Sequence, residues 1–220
     1  MTETIITVQG TAWAELAPER CEVRFSVTAE GAERAEVVAQ STETMDAVRT
    51  HLTEFEQRGA VTRWSVDRVT VTSQRPWTGD GTRAPIEHRA SVSGLARLHD
   101  ADEVSALVDA LATHELVQVE AVDWSLDDEK LDSALAEVRR RAVGDALRKA
   151  EDFAAALGLG SVTALALADP GMLDGSGSGA PTPRFEKAMM AMDARGGGGF
   201  SLQPALLRLE AAVDARFSAR

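Results

Sequence analysis

The spacing of apolar and polar residues changes period several times along the chain, and each change marks an element. In RCEVRFSVTAEG (residues 20–31), Val23, Phe25, Val27 and Ala29 share one face while Glu22, Arg24, Ser26 and Thr28 share the other. That period of two predicts a half-buried strand. ETIITVQGTAWAEL before it reads as a strand broken at Gly10, with Pro18 and Glu19 as the turn between the two. From Ala32 to about Gln57 the steps become three and four: Val38, Ser41, Met45, Val48, Leu52 and Phe55 predict an amphipathic helix, closed by Gly59. TRWSVDRVTVTSQ then changes phase between Val66 and Val69, which predicts a bulge near Asp67–Arg68. PWTGDGTRAP is a hairpin tip. IEHRASVSGLARL returns with Ile86, His88, Ala90, Val92, Gly94, Ala96 and Leu98 on one face.

DADEVSALVDALAT predicts a short helix capped by Asp100, with Val104, Leu107, Val108 and Leu111 turned inward. ELVQVEAVDWSL reads as a strand, followed by a long helix and then SVTALALAD, a strand of nearly unbroken small apolar residues. The last strand alternates without interruption: Leu207, Leu209, Ala211, Val213, Ala215 and Phe217 oppose Arg208, Glu210, Ala212, Asp214 and Arg216. Hairpins joined through helices, without regular βαβ alternation, define an α+β fold: a mainly antiparallel sheet built from hairpins, with helices packed on one face. The expected organisation is one domain over 1–220. It is interrupted at about 169–203 by a Gly-, Pro- and Met-rich insertion, long for a compact domain. That segment is read as either disordered in the isolated chain or ordered against a partner subunit or ligand.

Composition narrows the function classes. A formal net charge of -12 opposes non-specific binding to nucleic acid or anionic membrane. Aromatics make up only 5% and tyrosine is absent, so the core must be Val, Leu and Ala. The single cysteine, Cys21, allows no internal disulfide and reads as a packing residue. No stretch approaches the ~18 consecutive apolar residues of a membrane helix. MTETIITVQGTAWAEL has neither the basic start nor the apolar run of a signal peptide, so a cytoplasmic address is expected.

Candidate chemistry is thin. GSGSGAP and GGGG follow no strand and open no helix, so they read as linkers rather than phosphate cradles. GSGSG at 175–179 has the letters of a nucleophile elbow but not its strand–turn–helix setting. His51, His88, His99 and His114 show no metal-type spacing. His51 falls on the solvent side of the first helix, and His88 reads as a hydrogen-bonded structural histidine. Asp127, Asp128 and Glu129 suit the positive end of the long helix, with Ser125 and Asp128 resembling a capping box. No catalytic, cofactor-binding or metal-binding residue is therefore assigned, and no cofactor; the chain is expected not to be an enzyme.

The basic run RRRAVGDALRKAEDFAAALGLG lies within the long helix. Its apolar stripe takes in Leu131, Leu135, Val138, Ala142, Ala146, Ala150, Phe153 and Leu157. Ala134, Val143, Leu147 and Ala154 widen it, and Gly158 ends it. Arg139, Arg140 and Arg141 point about 100° apart, so they form no single basic face. Glu137–Arg141 and Asp145–Lys149 are spaced as i,i+4 ion pairs. Arg139, Ala142, Asp145, Ala146, Lys149, Ala150 and Gly158 resemble the signature helix of the SIMPL-domain (DUF541, 26-kDa periplasmic immunogenic protein-like) family. The pieces ITVQGTAWAELAPERCEVRFSV, HRASVSGLARLHD and LEAAVDARF extend that likeness over nearly the whole chain. The resemblance implies an α+β fold that assembles into ring- or channel-like oligomers, with no established catalysis. On that basis the chain is expected to be a bacterial, self-associating, non-enzymatic protein with a scaffolding or stress-related role. An alternative is a ligand- or peptide-binding module working through the 169–203 insertion. No nucleic-acid partner and no membrane span are expected.

Overall fold

The structure, a computed structural model, describes residues 3–77, 83–173 and 203–220. Among these residues eleven elements follow one another: β1 (Thr4–Leu16), β2 (Arg20–Gly31), α1 (Arg34–Gln57), β3 (Val61–Val66), β4 (Thr70–Gln74), β5 (Glu87–Leu98), α2 (Ala101–Ala112), β6 (Val117–Ser125), α3 (Asp128–Ala156), β7 (Val162–Ala168) and β8 (Leu207–Ala219). All strand pairs are antiparallel, and the fold is α+β. The strands sort into two sheets: a three-stranded one in the order β1-β8-β7, and a five-stranded one in the order β3-β5-β2-β6 with β4 also on β5. The chain divides accordingly into two compact units. One holds β1, α3, β7 and β8; the other runs Pro18–Ser125.

In the Pro18–Ser125 unit, the alternation in β2 does what the sequence predicts. Cys21, Val23, Phe25, Val27 and Ala29 are buried, packed with Met45, Val48, Leu52 and Phe55 of α1 and Val104, Leu107 and Leu111 of α2. On α1 it is Val37 rather than Val38 that is buried, because Val37 stands one i,i+4 step before Ser41 and continues the stripe, while Val38 falls at its margin. Gly59 takes φ +79, and Gly59 N–H and Ala60 N–H donate to Glu56 and Phe55 carbonyls, closing α1. Asp100 caps α2 by accepting from Asp102 and Glu103 N–H, a cap typically worth about 1 kcal/mol. The expected bulge at Asp67–Arg68 is a full interruption. β3 ends opposite Gly94 and β4 resumes opposite Ser91, with Asp67 N–H bonded to the Ser93 carbonyl between them. The hairpin tip falls at 78–82, outside the described residues, although its neighbours Trp77 and Arg83 form a bridge.

In the other unit the first and last strands pair over their full length, Thr4 opposite Ala219 and Leu16 opposite Leu207. Gly10 does not break β1, which runs unbroken through it. It marks instead where α3 comes closest. A Cβ at Gly10 would lie 2.0 Å from the Ala142 carbonyl oxygen and 2.7 Å from Ala146 Cβ, so only glycine fits. The buried stripe of α3 is narrower than its sequence suggests: Val138, Ala142, Ala146, Ala150 and Ala154 are inside, while Phe153 and Leu157 stand 55% and 65% exposed. Alanine supplies the stripe because helix backbone and strand backbone nearly touch. The long side chains at its margins are thereby left over solvent. Ser125 does not cap α3. It ends β6, where its hydroxyl accepts from Arg20 Nε, and Asp127 holds the N-cap position without a side-chain cap bond. Gly158, at φ +72, ends the helix as expected.

Candidate functional site

The best-defined polar constellation forms where α3 meets the free edge of β1. In an extended strand, residues i and i+2 direct their N–H and C=O groups to the same side. Gln9 and Thr11 bracket Gly10 in this way, and β8 occupies the other side of β1. Thr11 N–H donates to Asp145 Oδ2 at 3.0 Å, and Lys149 Nζ donates to the Gln9 carbonyl at 2.9 Å. Asp145 and Lys149 also bond each other at 2.8 Å, and Arg148 adds a 2.6 Å contact to Asp145. The bond from Lys149 and the Thr11 amide hold the Asp145 carboxyl down at about 2, well below its usual value of 3.8. This arrangement satisfies the backbone groups of an edge strand. The i,i+4 pairs Asp145–Lys149 and Glu137–Arg141 both stand as the sequence spacing predicts, with Arg140 also on Glu137 at 2.8 Å. The basic run is thus interleaved with acids.

A second cluster covers the polar face of β2. Arg24 pairs with Asp123 of β6, and Arg97 of β5 donates to Glu22 at 3.1 Å. Arg20, Ser125 and Cys21 complete the lining of a shallow depression here. Cys21 is fully buried, and burial first, then the nearby Asp123 and Glu22, pushes its thiol up to about 12. A thiol so held does not ionise at neutral pH, so the residue packs rather than attacks.

The histidines separate. His88 Nδ1 lies 2.7 Å from Ser73 Oγ, and His99 Nδ1 lies 2.7 Å from the Glu19 carbonyl oxygen. His51, expected on the solvent side of α1, is instead half-buried, with its ring centroid 5.4 Å from that of His114. Among the described residues, no three or more His, Cys, Asp and Glu side chains gather as a metal site. Glycine-rich GSGSG and Met189, Met190 and Met192 of the insertion fall at 174–202, outside the described residues; Met172, ahead of them, is described and exposed. The start of that insertion is tied to β8: Gly171 N–H donates to Asp214 Oδ2 at 2.7 Å.

The apolar run of β7 forms a strand as expected, and on it Leu165 and Leu167 are 50% and 57% exposed. It closes the three-stranded sheet at the end opposite β1, bonded to β8 alone among the described strands. Three features escape a reading of local patterns: this open edge, the capped edge of β1 and the His51–His114 contact. Only the glycine at position 10, in the middle of an apolar strand, hints at one of them.

Two antiparallel sheets, each with its own helical cover, and an Ala-lined helix clamped to an edge strand by an Asp–Lys pair define the protein's class as α+β. The family model described as SIMPL, protein of unknown function (DUF541), matches residues 6–217, and the chain belongs to that family. No curated protein matches the sequence. Among solved structures, the chain is similar to an amidase of the hydantoinase/carbamoylase family from Burkholderia phymatum, at 17% identity and a TM-score of 0.26. That match covers 60% of this chain and 33% of the amidase, so the chain spans about a third of the protein it matches. At that score the likeness carries no inference about fold or chemistry. No helix among the described residues is long and apolar enough to cross a membrane.

Proposed function

We propose that this SIMPL-family chain is a self-associating, non-enzymatic protein with a scaffolding or stress-related role, working in the bacterial cytoplasm. The observation that carries the reading is the edge of β7. Natural sheets blunt a free edge with charge, proline, a bulge or a covering element, because unpaired N–H and C=O groups recruit another strand. Residues 162–168 contain neither charge nor proline; their one irregularity is a register shift against β8 between Ala164 and Ala166, and Leu165 and Leu167 offer apolar surface beside the edge backbone groups. Strand addition from a second copy would bury both. Pairing of this edge with its own copy about a two-fold axis would be antiparallel and isologous.

Light scattering at micromolar concentration tests it. The expected mass is well above the 23.5 kDa of one chain, and it should fall to that value in a Leu165→Lys/Leu167→Lys variant. A wild-type protein that scatters as a strict monomer would sink the proposal.

A further inference from the structure

We propose that His51 and His114 form a binding site for a borderline transition-metal cation such as Zn(II), with water completing the coordination. The two rings come from separate elements of the Pro18–Ser125 unit, His51 from the middle of α1 and His114 from the turn after α2. Their centroids are 5.4 Å apart and their planes are inclined by 53°, so they are not stacked. Imidazole nitrogens sit about 2.0–2.1 Å from Zn(II), which puts two ring centroids sharing one ion roughly 5–6.5 Å apart, according to the angle at the metal. The observed separation falls inside that range.

Two further observations point the same way. His114 Nε2 is buried without a hydrogen-bond partner, and a buried polar atom left unpaired calls for a ligand, water or ion. On the other ring, Glu54 Oε2 approaches His51 Nδ1 at 3.7 Å. At 3.7 Å this is not a hydrogen bond, but a small side-chain shift would close it, and a carboxylate bonded to Nδ1 favours metal coordination through Nε2. The proposed donors are the two Nε2 atoms, of which that of His114 is the one left unsatisfied.

Both residues stand on fixed backbone. His51 lies between the fully buried Val48 and Leu52 of α1. The His114 main chain is held by bonds from its N–H to the Leu111 carbonyl and from Val117 N–H to its own carbonyl. Imidazole donors select Zn, Ni or Cu over Ca or Mg, which take oxygen ligands. The strongly acidic chain favours the approach of any cation. With only two protein ligands, affinity should be modest.

Zinc alone is the probe, in isothermal titration and in urea unfolding of the full chain. The expected result is one zinc bound per chain, lost in both His51→Ala and His114→Ala and kept in a His88→Ala/His99→Ala double variant. At free zinc about ten times Kd, the folded-to-unfolded ratio should rise about elevenfold in the wild type and not at all in the two single variants. His51 is a third exposed, so its variant should fold and carries the test alone if His114→Ala does not. Absence of binding up to millimolar zinc overturns the proposal, and so does undiminished binding in His51→Ala.

Discussion

β1 and β7 lie at opposite ends of the three-stranded sheet, and each is hydrogen-bonded to β8 on one side only. At β1 the free side is occupied: Asp145 accepts from Thr11 N–H, Lys149 donates to the Gln9 carbonyl, and Gly10 between them lets the helix lie against the strand. At β7 the described residues provide no such cover, and two leucines face outward. The difference is one of chemistry as well as geometry. Two charged side chains on one helix, four residues apart, reach two backbone groups two residues apart on a strand, so one ion pair serves as a cap. Nothing in VTALALA can play that part. An edge closed by the protein's own helix is finished on folding, whereas under the proposed self-association the apolar edge of β7 is finished by a second copy.

Substitutions should separate the two edges, beginning with the tightest contact. Gly10→Val should destabilise by about 3 kcal/mol, read as a lower urea midpoint, although valine is by itself the better strand former. Its side chain has no space beside Ala142 and Ala146. A midpoint unchanged from wild type would mean that the helix does not rest on β1 there.

Asp145→Asn should cost about 1–2 kcal/mol by weakening the bonds from Thr11 and Lys149. Because the folded-state pKa of Asp145 is depressed to about 2, its contribution is complete above its ordinary value near 3.8 and disappears as the pH falls toward 2. Urea midpoints followed through that acid range should therefore fall more steeply for the wild type than for Asp145→Asn, and parallel curves would contradict the clamp.

Gly144, one residue from the clamp, has open space where a Cβ would stand. Gly144→Ala should stabilise by about 0.5–1 kcal/mol through helix propensity alone, the opposite sign to any change at Gly10. Smallest of all, Leu165→Lys/Leu167→Lys should leave the stability of the chain at low concentration within about 0.5 kcal/mol of wild type while lowering its mass in light scattering. A large loss of stability instead would show that those leucines pack within the chain.

Much of the fold is legible from local pattern. The periods of β2, α1, α2 and β8 locate their buried faces, Gly59 and Gly158 mark their helix ends, and Asp100 marks its cap. Pattern reveals which face of an element is apolar but not whether anything covers it. That is why Phe153 and Leu157 read as core. It is equally silent on pairing over long distances, such as Thr4 with Ala219, and so on the division into two sheets. Gly10 reads as a break because a missing side chain looks the same whether the strand stops or a helix leans on it. The His51–His114 contact leaves no local trace, since its residues stand 63 positions apart on elements whose own periods say nothing of each other.

The pairing of β1 with β8 also has a consequence for how the protein is made. A ribosome releases Pro18–Ser125 well before Leu207–Ala219, and domains tend to fold as units as they emerge. The five-stranded unit can therefore mature during translation, while β1, already exposed, waits nearly two hundred residues for its partner strand. Until then its apolar face is available to chaperones or to neighbouring nascent chains. Moving the β8 segment ahead of β1 by circular permutation should shorten that wait and raise the yield of soluble protein.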